Sequence, residues 1–243
     1  MKILILGGTQ EARQLANRLV AQGHAVITAL AGRTQHPILP QGEVRIGGFG
    51  GLGGLCAYLG EEGIERLVDA THPYAGNISA NAVAAARATG VRLVRYMRRP
   101  WQPQPGQIWL DAGSVQAAAE TLPAGASVLL TTGHTGLETF LARQDCHFVI
   151  RVIEAPDLPI PAHATLIQSR PPYDLGQELA LMRDHGITHM VSKNSGGTQT
   201  AAKLEAAAQS GVVVIMIARP PYSPAIEAES VEAALAALDI ARV

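Results

Sequence analysis

The feature that most constrains the fold is a glycine turn that directly follows an apolar run near the start of the chain. Residues 2–6 read Lys-Ile-Leu-Ile-Leu and lead into Gly7 and Gly8, after which apolar residues recur at helical spacing as far as Leu19. A short apolar run that ends in glycine is typical of a buried strand, and the spacing that follows predicts a helix over residues 9–22. A strand, a glycine turn and a helix in this order are typical of a parallel α/β fold.

The alternation of strands and helices continues along the chain and restarts after a proline-rich segment at residues 99–106. Parallel strands joined by right-handed crossovers are therefore expected in both halves. We predict an α/β protein with two Rossmann-like parallel-sheet domains that face each other across a cleft. The predicted domains are 1–98 and 99–243. The predicted strands cover 2–6, 25–30, 44–46, 66–70, 91–96, 127–130, 148–153, 165–168, 189–191 and 212–217. The predicted helices cover 9–22, 51–62, 75–89, 135–143, 174–185, 199–210 and 230–241.

Composition excludes several classes of partner. The 243 residues carry a net charge of −1, so no overall field attracts nucleic acid or an anionic membrane. No apolar run approaches the about 18 residues of a membrane span, and a cytoplasmic location is expected. Cys56 and Cys146 form neither a disulfide framework nor a metal-ligand spacing. We therefore expect two buried thiols and no metal site, while the oligomeric state stays open.

The turn after the first strand resembles a dinucleotide fingerprint, G-x-G-x-x-G or A. Gly7 takes the first position and Ala12 the last, whereas Thr9 replaces the middle glycine that lets the backbone approach the pyrophosphate. The Thr9 hydroxyl could donate to the phosphate, and the helix N-terminus offers amides and a positive dipole. The alternative is a tight turn without a ligand. The predicted pyrophosphate-binding residues are Gly7, Gly8, Thr9, Glu11 and Ala12.

The end of the second strand indicates which nicotinamide cofactor binds. An acidic residue about 20 positions past the glycines would bind the ribose of NAD, but this segment contains Arg33 and Thr34 instead. A guanidinium binds phosphate with two parallel hydrogen bonds. These residues favour the 2′-phosphate of NADPH, and the alternative is a solvated arginine.

A second polar turn follows the strand at residues 66–70. Thr71 and His72 are expected at the carboxyl edge of the sheet, where open α/β folds bind ligands, and Thr71 is assigned to the cofactor. An ordinary histidine side chain titrates near neutral pH, so His72 could donate or relay a proton; the alternative is a structural histidine. Two similar turns in the second half, Thr131 to His134 and Lys193 to Gly197, indicate that this half also binds a ligand.

Together these segments resemble the precorrin-6A reductase family, and the resemblance covers nearly the whole chain. The motifs that carry it are Gly7-Gly8-Thr9-x-Glu11-Ala12-Arg13, Ala31-Gly32-Arg33-Thr34, Arg45-Ile46-Gly47-Gly48-Phe49-Gly50-Gly51, Asp69-Ala70-Thr71-His72-Pro73-Tyr74-Ala75, Asn81-Ala82, Asn194-x-Gly196-Gly197 and Arg219-Pro220. The resemblance implies an enzyme of vitamin B12 (cobalamin) biosynthesis. Such an enzyme transfers a hydride from a nicotinamide cofactor to the precorrin macrocycle and gives precorrin-6B. The Ala-Gly-Arg-Thr motif looks like the NADPH branch, which acts on metal-free precorrin-6A; the cobalt-precorrin branch is the alternative.

A precorrin carries many ionised acetate and propionate groups, so a nearly neutral protein must bind it with local cations. Seven basic residues are candidates, together with aromatic residues that could contact the ring. The basic residues are Arg95, Arg98, Arg99, Arg151, Arg170, Lys193 and Arg219, and the aromatic ones are Tyr74, Trp101, Tyr173 and Tyr222. The predicted substrate-binding residues are His72, Tyr74, Arg98, Lys193, Asn194, Ser195 and Gly196. His72 is also the catalytic candidate, as a proton donor or a polariser, and the alternative source of the proton is water or an acidic tautomer of the macrocycle.

Two other functions stay open. A short-chain reductase or epimerase would need a Tyr-x-x-x-Lys pair for proton transfer, and none of the five tyrosines has a lysine four positions on. A non-enzymatic NADPH sensor would use the second half to bind a protein partner.

Overall fold

A computed structural model describes residues 1–32 and 37–240; Arg33 and Thr34 lie outside the described residues. The first part of the chain alternates strands and helices much as its sequence predicts. Its elements are β1 (Lys2–Leu6), α1 (Gln10–Ala21), β2 (Ala25–Leu30), β3 (Glu43–Ile46), α2 (Leu52–Glu61), β4 (Arg66–Asp69), α3 (Gly76–Thr89) and β5 (Arg92–Tyr96).

The alternation continues to the end of the described residues. These elements are β6 (Trp109–Ala112), α4 (Val115–Thr121), β7 (Ser127–Leu130), α5 (Leu137–Leu141), β8 (His147–Val152), β9 (Ala164–Gln168), α6 (Leu175–Asp184), β10 (His189–Lys193), α7 (Ala202–Gln209), β11 (Val213–Ile217), β12 (Ile226–Ala228) and α8 (Val231–Ala237). None of the helices in the described ranges is long and apolar enough to cross a membrane.

The strands form two six-stranded sheets in which the described pairings are parallel. The first sheet has the order β12-β5-β4-β1-β2-β3 and the second the order β6-β11-β10-β7-β8-β9. Both follow the doubly wound Rossmann pattern, in which the chain winds outward in both directions from a central pair of strands. The prediction of two Rossmann-like parallel sheets is confirmed.

The sixth strand of the first sheet comes from the far end of the chain. After β5 the chain leaves the first sheet, and β6 pairs with β11 at the edge of the second sheet. The sixth position beside β5 is taken by β12. The two compact units are therefore residues 1–99 with 220–243, and residues 100–219. The predicted division was 1–98 and 99–243, whereas the compact units meet at residues 99 and 100, and residues 220–243 belong to the first unit.

Strand β1 shows how the sequence builds the core of the first unit. Ile3 and Ile5 are fully buried in one cluster with α1 and α8, and Leu4 and Leu6 are buried in another with α2 and α3. Successive side chains of a strand point to opposite faces, so a continuous apolar run is required where helices cover both. Each such side chain contributes roughly 1.5–3 kcal/mol relative to exposure.

The elements that the sequence did not predict, β6, α4 and β12, are short. β6 has only one buried residue, Ala112, because it lies at a sheet edge, and β12 has three residues of which only Ala228 is buried. α4 is capped by Ser114, whose side chain accepts a hydrogen bond from the Ala117 amide. Such segments lack a long apolar pattern, and their pairing depends on the strand they meet in the fold.

Candidate functional site

Each sheet has one switch point, at which the winding of the chain changes direction. It lies between β1 and β4 in the first sheet and between β7 and β10 in the second. In open α/β sheets the loops at such a point diverge and leave a crevice at the carboxyl ends of the strands, where ligands bind. The turns that the sequence singled out are the loops that follow these four strands.

The glycine turn after β1 needs glycine at two positions for different reasons. A Cβ atom on Gly7 would lie 2.8 Å from Thr28 Cγ2, so a side chain there would clash with β2. Gly8 has φ +107°, a conformation that residues with a side chain rarely adopt, and a Cβ built there has no heavy atom within 4 Å. The open space beside Gly8 leaves the backbone accessible to an anionic group at the start of α1.

Thr9 is used by the fold rather than directed at a phosphate. It is the N-cap of α1: its Oγ1 accepts a hydrogen bond from the Ala12 amide at 3.1 Å and donates one to Ala70 O at 2.9 Å. The expected donation from the Thr9 hydroxyl to a phosphate is therefore not what this structure shows. The amides and dipole of the first turn of α1 are the groups suited to the phosphate.

Glu11 and Arg98, predicted for cofactor and substrate respectively, form an ion pair. Arg98 Nη1 lies 3.4 Å from Glu11 Oε2, and both side chains are about four-fifths buried. The pair connects the first turn of α1 to the segment after β5. Ala12 is buried in the core of the first unit, so only its backbone can face a ligand.

Asp69, the last residue of β4, organises the loop that carries Thr71 and His72. Its Oδ1 accepts hydrogen bonds from Thr71 Oγ1 at 2.7 Å and from the Thr71 amide at 3.3 Å. Its Oδ2 lies 3.5 Å from Arg95 Nε, and both side chains are buried. Arg95 Nη1 also donates to Ser223 O at 3.0 Å. Arg95 was expected among the cations that bind the substrate; that expectation is wrong, because its guanidinium is enclosed within the first unit.

The turn at His72 orients the imidazole ring. His72 Nδ1 accepts a hydrogen bond from the Tyr74 amide at 3.2 Å, and His72 O accepts one from the Ala75 amide at 2.8 Å. In the neutral ring the proton then belongs to Nε2. His72 is exposed, so its ring is accessible to solvent. The rings of His72 and Tyr74 lie 5.8 Å apart, so the structure brings these two predicted residues together.

The loop after β10 holds the predicted residues of the second unit. Lys193 Nζ donates to Thr135 Oγ1 at 3.0 Å, which joins the loops after β10 and β7. The Asn194 side chain accepts from the Trp101 amide at 2.7 Å and donates to Trp101 O at 3.0 Å. The Ser195 amide donates to Lys193 O at 2.7 Å, and Gly196 has φ +67°. Asn194 therefore holds Trp101 in place, and Lys193 is the cation of this loop.

Several other predicted cations are bound by neighbouring residues. Arg151 is buried beside Glu178, with its guanidinium 4.0 Å from the Tyr173 ring, and so is not part of an exposed basic rim. Arg99 pairs with Glu229, and Arg170 lies 3.7 Å from Glu154.

Lys203 is a residue that no sequence pattern indicated. It lies in the first turn of α7, is 4% exposed and donates from Nζ to Thr131 Oγ1 at 3.0 Å. Burial, together with the charges of Arg151 and Lys193, lowers its pKa to about 7, although Glu178 acts in the opposite direction. The only signal in the sequence is a lysine among alanines on the apolar side of a short helix.

Arg45 belongs to one of the motifs that carry the family resemblance, and the structure shows what it does. Its guanidinium donates to Gly47 O at 2.6 Å and to Gly48 O at 2.9 Å, and it lies 4.2 Å from the Phe49 ring centre. Arg45 thereby fixes the glycine-rich loop that follows β3 at the carboxyl edge of the first sheet.

Comparisons with known proteins agree with this architecture. The family model described as "Precorrin-6x reductase CbiJ/CobK" matches residues 2–239. The chain is 47% identical to the precorrin-6A reductase of Rhodococcus erythropolis over 228 residues, which cover 93% of this chain and 92% of that protein. It is 30% identical to the cobalt-precorrin-6A reductase of Priestia megaterium, covering 90% of each. The solved structure of "CobK precorrin-6A reductase" superposes with a TM-score of 0.93 at 40% identity, covering 98% of this chain and 96% of that one.

Proposed function

The chain belongs to the precorrin-6x reductase family, and on that basis we propose that it is a precorrin-6A reductase, which transfers a hydride from NADPH to the precorrin macrocycle and gives precorrin-6B in cobalamin biosynthesis. The observation that carries this proposal is the 47% identity to a precorrin-6A reductase over nearly the full length of both chains. The enzyme is an oxidoreductase, and its substrate is a polycarboxylate tetrapyrrole.

The residues at the first switch point fit a nicotinamide dinucleotide. A pyrophosphate fits this turn because space is open around Gly8, Gly7 has no side chain, and α1 presents its N-terminus there. Arg33 and Thr34 suit the 2′-phosphate that distinguishes NADPH from NADH. When bound, the nicotinamide supplies the hydride, and the protein supplies binding and orientation. Thr71 lies in the neighbouring loop, which Thr9 joins to the glycine turn through Ala70.

The metal-free macrocycle is the substrate that the relatives favour. Identity is 47% to a precorrin-6A reductase and 30% to a cobalt-precorrin-6A reductase. The Ala31-Gly32-Arg33-Thr34 segment supports the same choice, because an arginine at this position suits NADPH. A cytoplasmic location follows as a proposal from the supply of NADPH.

The polar groups of both switch points have separate roles in substrate binding. Lys193, held by Thr135, provides a cation for a carboxylate of the macrocycle. His72 presents an Nε2–H donor, and Tyr74 an aromatic ring beside it. The reduction also consumes one proton. We assign His72 to orienting the ring system rather than to donating that proton, because the hydrogen bond that its Nδ1 accepts from a backbone amide favours the neutral ring.

The test is an anaerobic assay of the purified protein with each combination of NADPH or NADH and precorrin-6A or cobalt-precorrin-6A. The visible spectrum of the macrocycle should change with NADPH and precorrin-6A, with equimolar loss of NADPH absorbance. Faster turnover with cobalt-precorrin-6A and NADH would assign the chain to the cobalt branch. Tight NADPH binding without reduction of either macrocycle would favour the sensor.

A further inference from the structure

The second unit contains a buried group of three ionisable side chains with an excess of positive charge. Arg151, Glu178 and Lys203 are 8%, 0% and 4% exposed. Arg151 Nη1 lies 2.9 Å from Glu178 Oε1, so the one carboxylate is already paired with the arginine. Within residues 1–32 and 37–240, no carboxylate lies at ion-pair distance from Lys203 Nζ. A protonated Lys203 is therefore a buried cation without its own counter-charge, which is costly.

The direct partners of Lys203 are neutral. Thr131 Oγ1 donates its proton to Val191 O at 3.0 Å and so accepts from Lys203 Nζ at 3.0 Å. The Trp101 ring centre lies 5.3 Å from Nζ, which offers a weak cation–π contact. These contacts satisfy one N–H, and the carboxylate that favours the charged form of Lys203, that of Glu178, is already paired with Arg151. Burial is the largest cause that lowers the pKa of Lys203 to about 7, followed by the positive charges of Arg151 and Lys193.

The position of this lysine connects it to the second switch point. Thr131 directly follows β7, and Lys193 is the last residue of β10, the strand on the other side of the switch point. Lys203 donates to Thr131 and Lys193 to Thr135, so two lysine Nζ atoms donate to two hydroxyls of one loop. One of these lysines is buried and the other is partly exposed.

We propose that Lys193 and Lys203 form a carboxylate subsite for the macrocycle, in which Lys193 contacts the carboxylate and Lys203 takes up a proton as the carboxylate binds. The inference deepens the proposed function and rests on it, because the substrate of that reaction carries many carboxylates. Lys203 is a positioning residue: it does not touch the ligand, and it acts on the subsite through its charge.

The physical cause is the change of potential at Lys203. A bound carboxylate beside Lys193 offsets the positive charge that disfavours the protonated form of Lys203, so the pKa of Lys203 rises in the complex. By linkage, binding above neutral pH consumes a proton, and affinity falls as pH rises. The proton is released when the product leaves, so the overall stoichiometry of the reduction is unchanged.

The test is calorimetric titration of the protein, saturated with NADP⁺ to prevent turnover, with precorrin-6A at pH 8 in buffers of different ionisation enthalpy. Since the pKa of Lys203 is about 7, about nine-tenths of Lys203 is neutral at pH 8, and uptake of up to about one proton is expected. Lys203→Arg keeps the charge permanently, so it should bind the macrocycle without this uptake. Lys193→Gln should lose about tenfold or more in affinity together with the uptake, whereas Arg183→Gln, at an exposed position, should match the wild type.

Wild-type binding without proton uptake, or unchanged uptake in Lys203→Arg, would overturn the inference while leaving the proposed function intact. Failure of the function itself shows separately, as wild-type protein that neither binds nor reduces precorrin-6A, and this result would overturn both. If Lys203→Arg does not fold, ¹³C-lysine NMR of the wild type decides. One lysine should titrate near neutral pH and shift to higher pKa with precorrin-6A, and the absence of any such lysine would contradict the proposal.

Discussion

Thr9 Oγ1 donates a hydrogen bond to Ala70 O at 2.9 Å and thereby joins the first turn of α1 to the loop that carries Thr71 and His72. The same oxygen accepts from the Ala12 amide and caps the helix. One side chain thus sets the position of both loops at the first switch point. A glycine at this position, as in the usual fingerprint, would provide neither contact.

Replacing Thr9 by valine should therefore weaken both stability and cofactor binding. Thr9→Val keeps the shape but loses both hydrogen bonds, and loss of an N-cap costs about 1 kcal/mol. The free energy of unfolding, measured in urea, should fall by about that amount or more, and NADPH affinity should fall with it. Thr9→Ser retains the hydroxyl and should behave like the wild type. Wild-type stability in Thr9→Val would show that the cap is not needed.

Replacing Gly8 by aspartate should abolish NADPH binding while the fold persists. Space is open around a Cβ at Gly8, so the cost to stability comes only from φ +107°. The added carboxylate would repel a pyrophosphate at the start of α1. Gly23→Asp is the matched control, because Gly23 also has positive φ and open space but lies after α1, at the opposite end of the helix. Calorimetry that finds equal NADPH affinity in both folded variants would remove the glycine turn from the cofactor site.

Replacing Arg33 by alanine should reduce the affinity for NADPH and leave that for NADH nearly unchanged. Loss of a charge-assisted hydrogen bond to the 2′-phosphate is worth roughly 1.5–3 kcal/mol, or about tenfold and more in affinity. Arg18→Ala removes an exposed arginine from α1 and serves as the control. An equal loss for both cofactors would show that Arg33 does not recognise the 2′-phosphate.

Replacing His72 by asparagine should lower kcat without changing the shape of its pH profile. An asparagine side chain can accept a hydrogen bond from the amide two residues on, as His72 Nδ1 does from Tyr74. The substitution therefore keeps the turn, and only the Nε2–H donor is lost. If His72 were the proton donor, the wild-type profile would fall at high pH and the His72→Asn enzyme would lack that limb.

Replacing Lys203 by methionine should change how stability depends on pH. The pKa of Lys203 is about 7 in the folded chain against 10.5 for an ordinary lysine, so between these values the unfolded chain binds more protons. Stability of the wild type should then rise with pH through this window, and the penalty of the buried charge is complete below pH 7. Lys203→Met removes the penalty, so its unfolding free energy should exceed that of the wild type most at pH 6. Lys2→Met, at a partly exposed lysine paired with Glu62, should give no such gain; a gain independent of pH in Lys203→Met would indicate packing alone.

The local sequence predicted most of the elements because most are long enough to show their period. The apolar run 2–6, its glycine turn and the helix that follows appear where the pattern predicted them. The edge strands β6 and β12 were missed, since four and three residues with little burial carry no period. The sixth strand of the first sheet, β12, comes from the far end of the chain, so residues 220–243 belong to the first unit. No local pattern indicates which sheet a short edge strand joins.

For the site, the sequence determined which loops carry polar groups, because the carboxyl ends of parallel strands must share one edge of a sheet. The tertiary structure decided which of those groups are available to a ligand. The sequence predicts that Arg95 and Arg151 are surface cations, but they are buried beside Asp69 and Glu178 respectively. In the sequence, Lys203 looks like an ordinary helical lysine. Charge is a property of a residue type, whereas the cost of that charge depends on burial and on partners distant in sequence, which only the folded chain brings together.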